Sequence, residues 1–155
     1  ILYKFFFKWI RSTSNRSFAL YPLIVVGETL IKQQEERFIF WGSLFLLWGY
    51  LQFKLTGNYR TKIGGGGPGL DKPPNLIVKT GIFKYLRNPM YLGHLIFYIG
   101  LIITFNSLIA LAILLFHLPW FEFRVRRDEV NLEKEFGSTY VEYKNSVKRW
   151  IPFIY

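Results

Sequence analysis

Two short stretches hold side chains able to do chemistry in one place. The first is Arg87-Asn88-Pro89-Met90-Tyr91-Leu92-Gly93. Pro89 fits the first turn of a helix, where its missing N–H costs nothing, and Asn88 is then the expected N-cap. That role accounts for Asn88 and Pro89, but less readily for Arg87, Tyr91 and Gly93. A helix start also offers free N–H groups and a partial positive charge to an anion such as a carboxylate. The second stretch is Arg124-Val125-Arg126-Arg127-Asp128-Glu129. On a helix, Arg124 and Asp128 share a face four residues apart and can pair. As surface decoration such a pair contributes little. At a membrane boundary, an arginine beside acidic groups can hold a carboxylate substrate and a cationic cofactor side by side. Basic residues after an apolar run are also ordinary topology signals.

Other candidates carry less. The Gly64-Gly65-Gly66-Gly67-Pro68-Gly69 run lacks the Lys-Ser or Lys-Thr of a phosphate-binding loop, and no βαβ pattern surrounds it. It reads as a flexible linker that lets a loop fold back over a site. His94 and His117 fall within apolar runs near helix ends and are expected to be neutral and hydrogen-bonded. Asn106 is expected to cap a turn. There is no cysteine, which excludes a disulfide scaffold, a thiolate zinc site and a thiol nucleophile together. Two separated histidines give little support to a metal centre, and none is expected.

These residues need elements to position them. The 155 residues suffice for one domain, and 51% are hydrophobic against 19% charged. The apolar residues lie in long runs with the charges between them, which points to an all-α integral membrane protein. Residues 18–31 form an apolar run short of the ~20 residues of a perpendicular span, with Glu28 near its end. Residues 38–55 form a cleaner span with Trp and Tyr near its ends. Residues 58–84 hold the glycine run, Pro68, Pro73 and Pro74, and read as an extended loop. Residues 90–105 and 108–123 are two apolar helices whose short join at Asn106-Ser107 makes an antiparallel hairpin, with Pro119 expected to kink the second. The chain stays helical to about Glu135, breaks at Phe136-Gly137 and resumes from Ser138, as cap, to about Val147. Residues 1–11, aromatic and basic, suit an amphipathic segment at the interface or the end of a helix that begins upstream. The chain opens on Ile1, so a preceding stretch is expected, and no signal peptide is evident.

The net charge of +10 suits either nucleic acid or cytosolic loops. The basic residues flank apolar spans, without a stripe of exposed aromatics, so topology is preferred over nucleic-acid binding. The N-terminal segment, residues 58–87 and the tail after Arg124 are rich in Lys and Arg, whereas residues 32–37 and the Asn106-Ser107 turn are poor in them. The expectation is about four transmembrane helices, with both ends and the Gly/Pro loop in the cytosol. The chain then forms one unit: N-terminal spans in 1–57, a cytosolic loop in 58–87, and in 88–155 the hairpin and cytosolic C-terminal helices that carry the site.

Read in order from about Leu70, the chain shows Pro73-Pro74, Leu76-Ile77-Val78-Lys79-Thr80-Gly81, Tyr85 through Gly93, the hairpin, and Arg127-Asp128-Glu129. Leu132-Glu133, Phe136-Gly137, Tyr140, Tyr143, Val147 and Trp150-Ile151-Pro152 follow. This ordered set resembles the membrane methyltransferase family that includes isoprenylcysteine carboxyl methyltransferases and phospholipid methyltransferases. The resemblance implies transfer of a methyl group from S-adenosylmethionine to a membrane-borne acceptor, either a prenylcysteine-type carboxylate or a lipid. By position it places the cofactor against Leu76, Ile77, Val78, Phe83, Asn88, Pro89, Met90 and Tyr91. It places the family's carboxylate at Asp128 with Glu129 beside it, and its substrate-facing arginine at Arg124.

The sequence departs from the family in three places. Asn88 stands where the carboxyl methyltransferases usually carry His, Phe83 replaces a Tyr, and Asp128 is shorter than the usual Glu. These differences bear on the acceptor more than on the cofactor, and they leave open whether Asp128 or Glu129 is the functional carboxylate. Two rival readings share some features. A sterol- or steroid-type membrane reductase has a similar C-terminal pattern and would use Arg124, Arg126 and Arg127 on NADPH phosphates. A non-catalytic subunit of a membrane assembly would use the fold as a scaffold.

Overall fold

The computed structural model describes residues 2–32, 39–152 and 154. Its regular structure is helical: α1 (Leu2–Arg11), α2 (Thr13–Asn15), α3 (Tyr21–Ile31), α4 (Phe40–Gly64), α5 (Pro89–Phe105), α6 (Leu108–Phe136) and α7 (Ser138–Ser146). A π-helical turn, Arg16–Leu20, leads from α2 into α3, and a 3-10 turn, Gly81–Lys84, precedes α5. Among the described residues no strand forms, and one isolated parallel bridge joins Leu86 to Lys148. The sparsely basic linker expected at 32–37 lies, apart from Lys32, outside the described residues.

Glycine decides how closely the helices approach. A Cβ on Gly49 would lie 2.5 Å from the Phe97 amide nitrogen and 2.6 Å from the Gly93 carbonyl oxygen. One on Gly42 would meet Thr104, and one on Gly100 would meet the Leu46 amide. These pairings run α4 antiparallel to α5 with backbone against backbone, the packing that small residues permit where apolar burial alone drives little association. α5 then ends on Asn106, which takes the left-handed conformation (φ 46°), and the Ser107 Oγ caps α6 by accepting from the Ala110 N–H at 3.0 Å. The hairpin expected from the Asn-Ser join is therefore present. The Ser107 hydroxyl also donates to the buried Glu28 carboxylate, to which Lys32 is paired at 2.5 Å, and this fastens the end of α3 to the hairpin turn. The buried core between these helices is aromatic, with Phe121 and Tyr98 fully enclosed. His94 and His117 each donate from Nδ1 to the carbonyl four residues back, at 2.9 and 2.8 Å.

Several boundaries differ from expectation for local reasons. α4 runs on to Gly64, not stopping near Leu55, because no proline interrupts Asn58 to Ile63; Gly65 and Gly66, at φ 73° and 74°, end it. Helix extends back from α3 to Thr13, since Ser17 bonds the Thr13 carbonyl at 2.8 Å and the Tyr98 hydroxyl at 2.5 Å and so satisfies its own polarity. Asn88 does not cap α5 with its side chain; its Nδ2 donates to the Arg149 carbonyl at 3.3 Å. Gly137, at φ 56°, not Ser138, is the cap residue of α7.

Among the described residues one helix, α6, is long and apolar enough to cross a membrane; α5 is apolar but 17 residues long. α4 has 25 residues, but Gln52 and Lys54 dilute its apolar character. Trp41 and Leu47 on α4, and Leu115, Phe116 and Phe123 on α6, face outward. So many large apolar side chains on the outside suit a lipid surround.

The glycine contacts give a direct test. Gly49→Leu is expected to lower stability by about 3 kcal/mol, at the upper end of overpacking costs, and to reduce the thermal midpoint of the detergent-solubilised protein. Gly69→Ala, where a Cβ meets nothing within 4 Å, should leave the midpoint unchanged. Equal midpoints for the two variants would contradict the close α4–α5 packing.

Candidate active site

α6 carries a polar face where its apolar face ends. Arg124, Asp128, Asn131, Leu132 and Glu135 recur at helical spacing and line one cavity. The opposite wall is the Gly/Pro loop from Leu70 to Val78, and the ends are closed by Phe83, the start of α5 and the α7 tyrosines. Its volume is about 380 Å3.

The two stretches singled out in the sequence meet here. The Tyr91 hydroxyl donates to Asp128 Oδ2 at 2.8 Å, and the Arg124 guanidinium carbon lies 6.0 Å from the Tyr91 ring centre. Asp128 keeps 34% of its side chain exposed and is approached by Arg127 at 3.7 Å. The expected Arg124–Asp128 pairing is replaced by other partners. Arg124 donates from Nη2 to Asp71 Oδ1 at 2.7 Å and from Nη1 to Thr13 Oγ1 at 2.8 Å. The loop and the N-terminal helix reach the guanidinium from its open side, while Tyr91 engages Asp128.

Glu129 behaves differently from its neighbour. Its side chain is 4% exposed, and Arg149 grips both oxygens, at 3.1 and 2.8 Å. Arg87 lies 3.3 Å from one of them. Arg149 also donates to Glu122 at 2.7 Å, and the Trp150 indole donates to the other Glu122 oxygen at 2.7 Å. The Arg87 N–H bonds the Lys148 carbonyl at 2.9 Å. Residues 148–150 are thus stitched to the start of α5, with Glu129 at the centre of the seam. Above it, the Tyr143 hydroxyl donates to the Phe83 carbonyl at 2.6 Å and fixes the turn that carries the buried Phe83 ring. Burial, reinforced by Tyr140, pushes the Tyr143 pKa well up; burial, then the nearby Glu129, does the same for Tyr140. Both stay protonated across the physiological range.

Of the residues the sequence pointed to, Ile77, Val78, Phe83, Asn88, Tyr91, Arg124, Asp128 and Glu129 line the cavity. Three do not. Leu76 turns its side chain outward, 62% exposed, because its N–H is used to bond the Gly64 carbonyl at 3.0 Å. Met90 is buried against α4 near Gly57, and the Pro89 carbonyl accepts from Gln52 Nε2 at 2.9 Å. Sequence reasoning missed Arg60 and Asp71. Arg60 Nη2 donates to the carbonyls of Gly67, Gly69 and Lys72 at 2.7, 2.7 and 2.8 Å and so shapes the loop. Asp71 had a signal, being the sole acidic residue between Glu36 and Glu122.

A family model described as phospholipid methyltransferase matches residues 37–139. Among curated proteins, a protein-S-isoprenylcysteine O-methyltransferase of Saccharomyces cerevisiae is 38% identical over 81 residues, covering 52% of this chain and 34% of its own. Proteins of the same name from Xenopus laevis and, as form B, Arabidopsis thaliana are each 32% identical over 79 residues. Those stretches cover 50% of this chain, and 27% and 40% of the relatives. The matched region thus spans less than half the length of these relatives. No solved structure matches the chain.

The seam around Glu129 is expected to carry much of the stability of this end of the molecule. Arg149→Ala removes the two-pronged partner of the buried Glu129 and one of the partners of Glu122, and should cost about 3 kcal/mol in chemical unfolding, as breaking a buried pair does. Arg126→Ala removes an exposed partner of Glu122 and should change stability by less than about 0.5 kcal/mol.

Proposed function

The chain belongs to the phospholipid methyltransferase family, and from that membership we propose that it is an integral membrane methyltransferase using S-adenosylmethionine on a prenylcysteine-type carboxylate or a related lipid. The observation that carries the reading is the convergence of Tyr91–Asp128, Phe83 and Arg124 on one cavity at the polar end of the apolar hairpin. The similar curated proteins are named as O-methyltransferases of isoprenylcysteine, which favours the carboxylate acceptor.

The residues present fit such a cofactor. A cavity of about 380 Å3 is within the range of small-molecule sites. It combines an accessible carboxylate, two aromatic rings and a wall arginine, Arg87, whose Nε and Nη1 are buried without a hydrogen-bond partner. S-adenosylmethionine supplies, when bound, a methyl group on a positively charged sulfur. Asp128, oriented by the Tyr91 hydroxyl, offers negative charge to that ligand, and the faces of Phe83 and Tyr91 favour a cation. Arg124 orients the acceptor carboxylate through charge-assisted hydrogen bonds. With that donor held by Asp128, Phe83 and Tyr91, a carboxylate acceptor on Arg124 would receive the methyl group as an ester, and no residue of the chain would need to remove a proton. The protein's main contribution is alignment, which supplies several kcal/mol. An amine acceptor would have to lose a proton first, and Asp128 is the group for it.

In this reading the helices α3, α4, α5 and α6 cross the bilayer and residues 1–155 act as one unit. Both chain ends, the loop at 58–87 and the cavity lie on the cytosolic side, as the distribution of Lys and Arg supports. The acceptor's apolar tail stays among the outward-facing side chains of the hairpin.

The detergent-purified protein is expected to bind S-adenosylhomocysteine saturably in a calorimetric titration, and NADPH not at all; the reverse result would replace this reading with a reductase. Asp128→Asn should weaken S-adenosylhomocysteine binding about tenfold, the effect of losing a charged hydrogen-bond partner. Glu129→Gln should instead lower the melting temperature. Wild-type affinity in Asp128→Asn would remove Asp128 from the cofactor site.

A further inference from the structure

Arg124 is already occupied by a carboxylate from its own chain. Its side chain is 10% exposed, with Nη1 on Thr13, Nη2 on Asp71 and Nε buried without a partner. Each terminal nitrogen already donates one of its two N–H groups, so an incoming carboxylate meets the negative charge of Asp71 at Nη2 and competes with it for the guanidinium. The two present partners differ in how readily they yield. Thr13 is fully buried. Asp71 is 49% exposed, so its carboxylate can turn to water with little desolvation cost.

The position of Asp71 is also set from outside the pair. The carbonyls of Gly69 and Lys72, on either side of it, are held by Arg60, and Leu70 is buried beneath. The loop therefore presents its one acid to the guanidinium from a fixed backbone. Building on the methyltransferase reading above, we propose that Asp71 is the specificity-determining residue for the acceptor: it stands in for the acceptor's carboxylate on Arg124 and yields only to a ligand that brings its own. A free acid replaces one charge-assisted contact with another of the same kind. A neutral ester or alcohol has no anion to offer and leaves Asp71 in place. A salt bridge that merely fastened the loop would affect stability and would not distinguish these ligands.

The test uses the full chain in detergent, saturated with S-adenosylhomocysteine, and measures binding of N-acetyl-S-farnesylcysteine and of its methyl ester. Asp71→Asn should tighten binding of the free acid about two- to fivefold, the range of a partly exposed ion pair, and leave the ester unchanged. Asp71→Glu, which keeps the competing charge, should restore wild-type affinity for the acid. Unchanged or weaker acid binding in Asp71→Asn, an equal shift for acid and ester, or no acid binding by either protein would each overturn the proposal. Failure of the wild-type chain to bind S-adenosylhomocysteine would instead sink the methyltransferase reading, and this inference with it.

Discussion

A carboxylate as enclosed as Glu129 persists only where cations neutralise it and hydrogen bonds satisfy its lone pairs, because the desolvation of an unpaired charge outweighs most other local contributions. Arg149 meets that requirement with a two-pronged contact, and Arg87 adds a second positive charge. The two arginines are far apart in sequence, so their shared need for Glu129 brings the C-terminal tail against the start of α5. Asn88 is then turned onto the tail, and the Phe83 turn is trapped under α7. The cavity exists between parts that this ion cluster holds together.

The neighbouring pair, Asp128 and Glu129, shows how one helical step separates two fates. Glu129 falls on the side of α6 that meets the tail and is consumed by structure. Asp128 falls on the side that meets Tyr91 of α5 and stays about a third exposed. Chain chemistry is nearly the same at the two positions; the rotation of about 100° per residue turns one carboxylate to Arg149 and the other to Tyr91.

Much of the architecture was legible in the sequence because it rests on local signals. The hairpin followed from two apolar runs and an Asn-Ser join, and the break before α7 followed from Gly137. The end of α4 was less legible, since Gly57 and Asn58 resemble a loop start, yet only the run from Gly64 stops the helix. In the site, the spacing of Arg124 and Asp128 put both on one face of α6, whereas Tyr91 and Glu129 came from the resemblance. Leu76, Pro89 and Met90, placed against the cofactor by the resemblance, lie outside the cavity lining, since a match by position does not tell which side of an irregular segment or helix start faces inward. Arg60, Asp71 and Arg149 act through partners well removed in sequence or through backbone carbonyls, neither of which leaves a local pattern.

Arg60 grips carbonyl oxygens, a feature every residue type possesses, and not the side chains of the loop it shapes. The path of the backbone from Gly67 to Lys72 consequently depends little on the identity of the exposed side chains of Asp71 and Lys72. Over evolutionary time such a segment can exchange residues, including the one that faces Arg124, while its course is inherited intact. A change in what this wall of the cavity receives then needs only point changes, with no refolding of the loop that carries them.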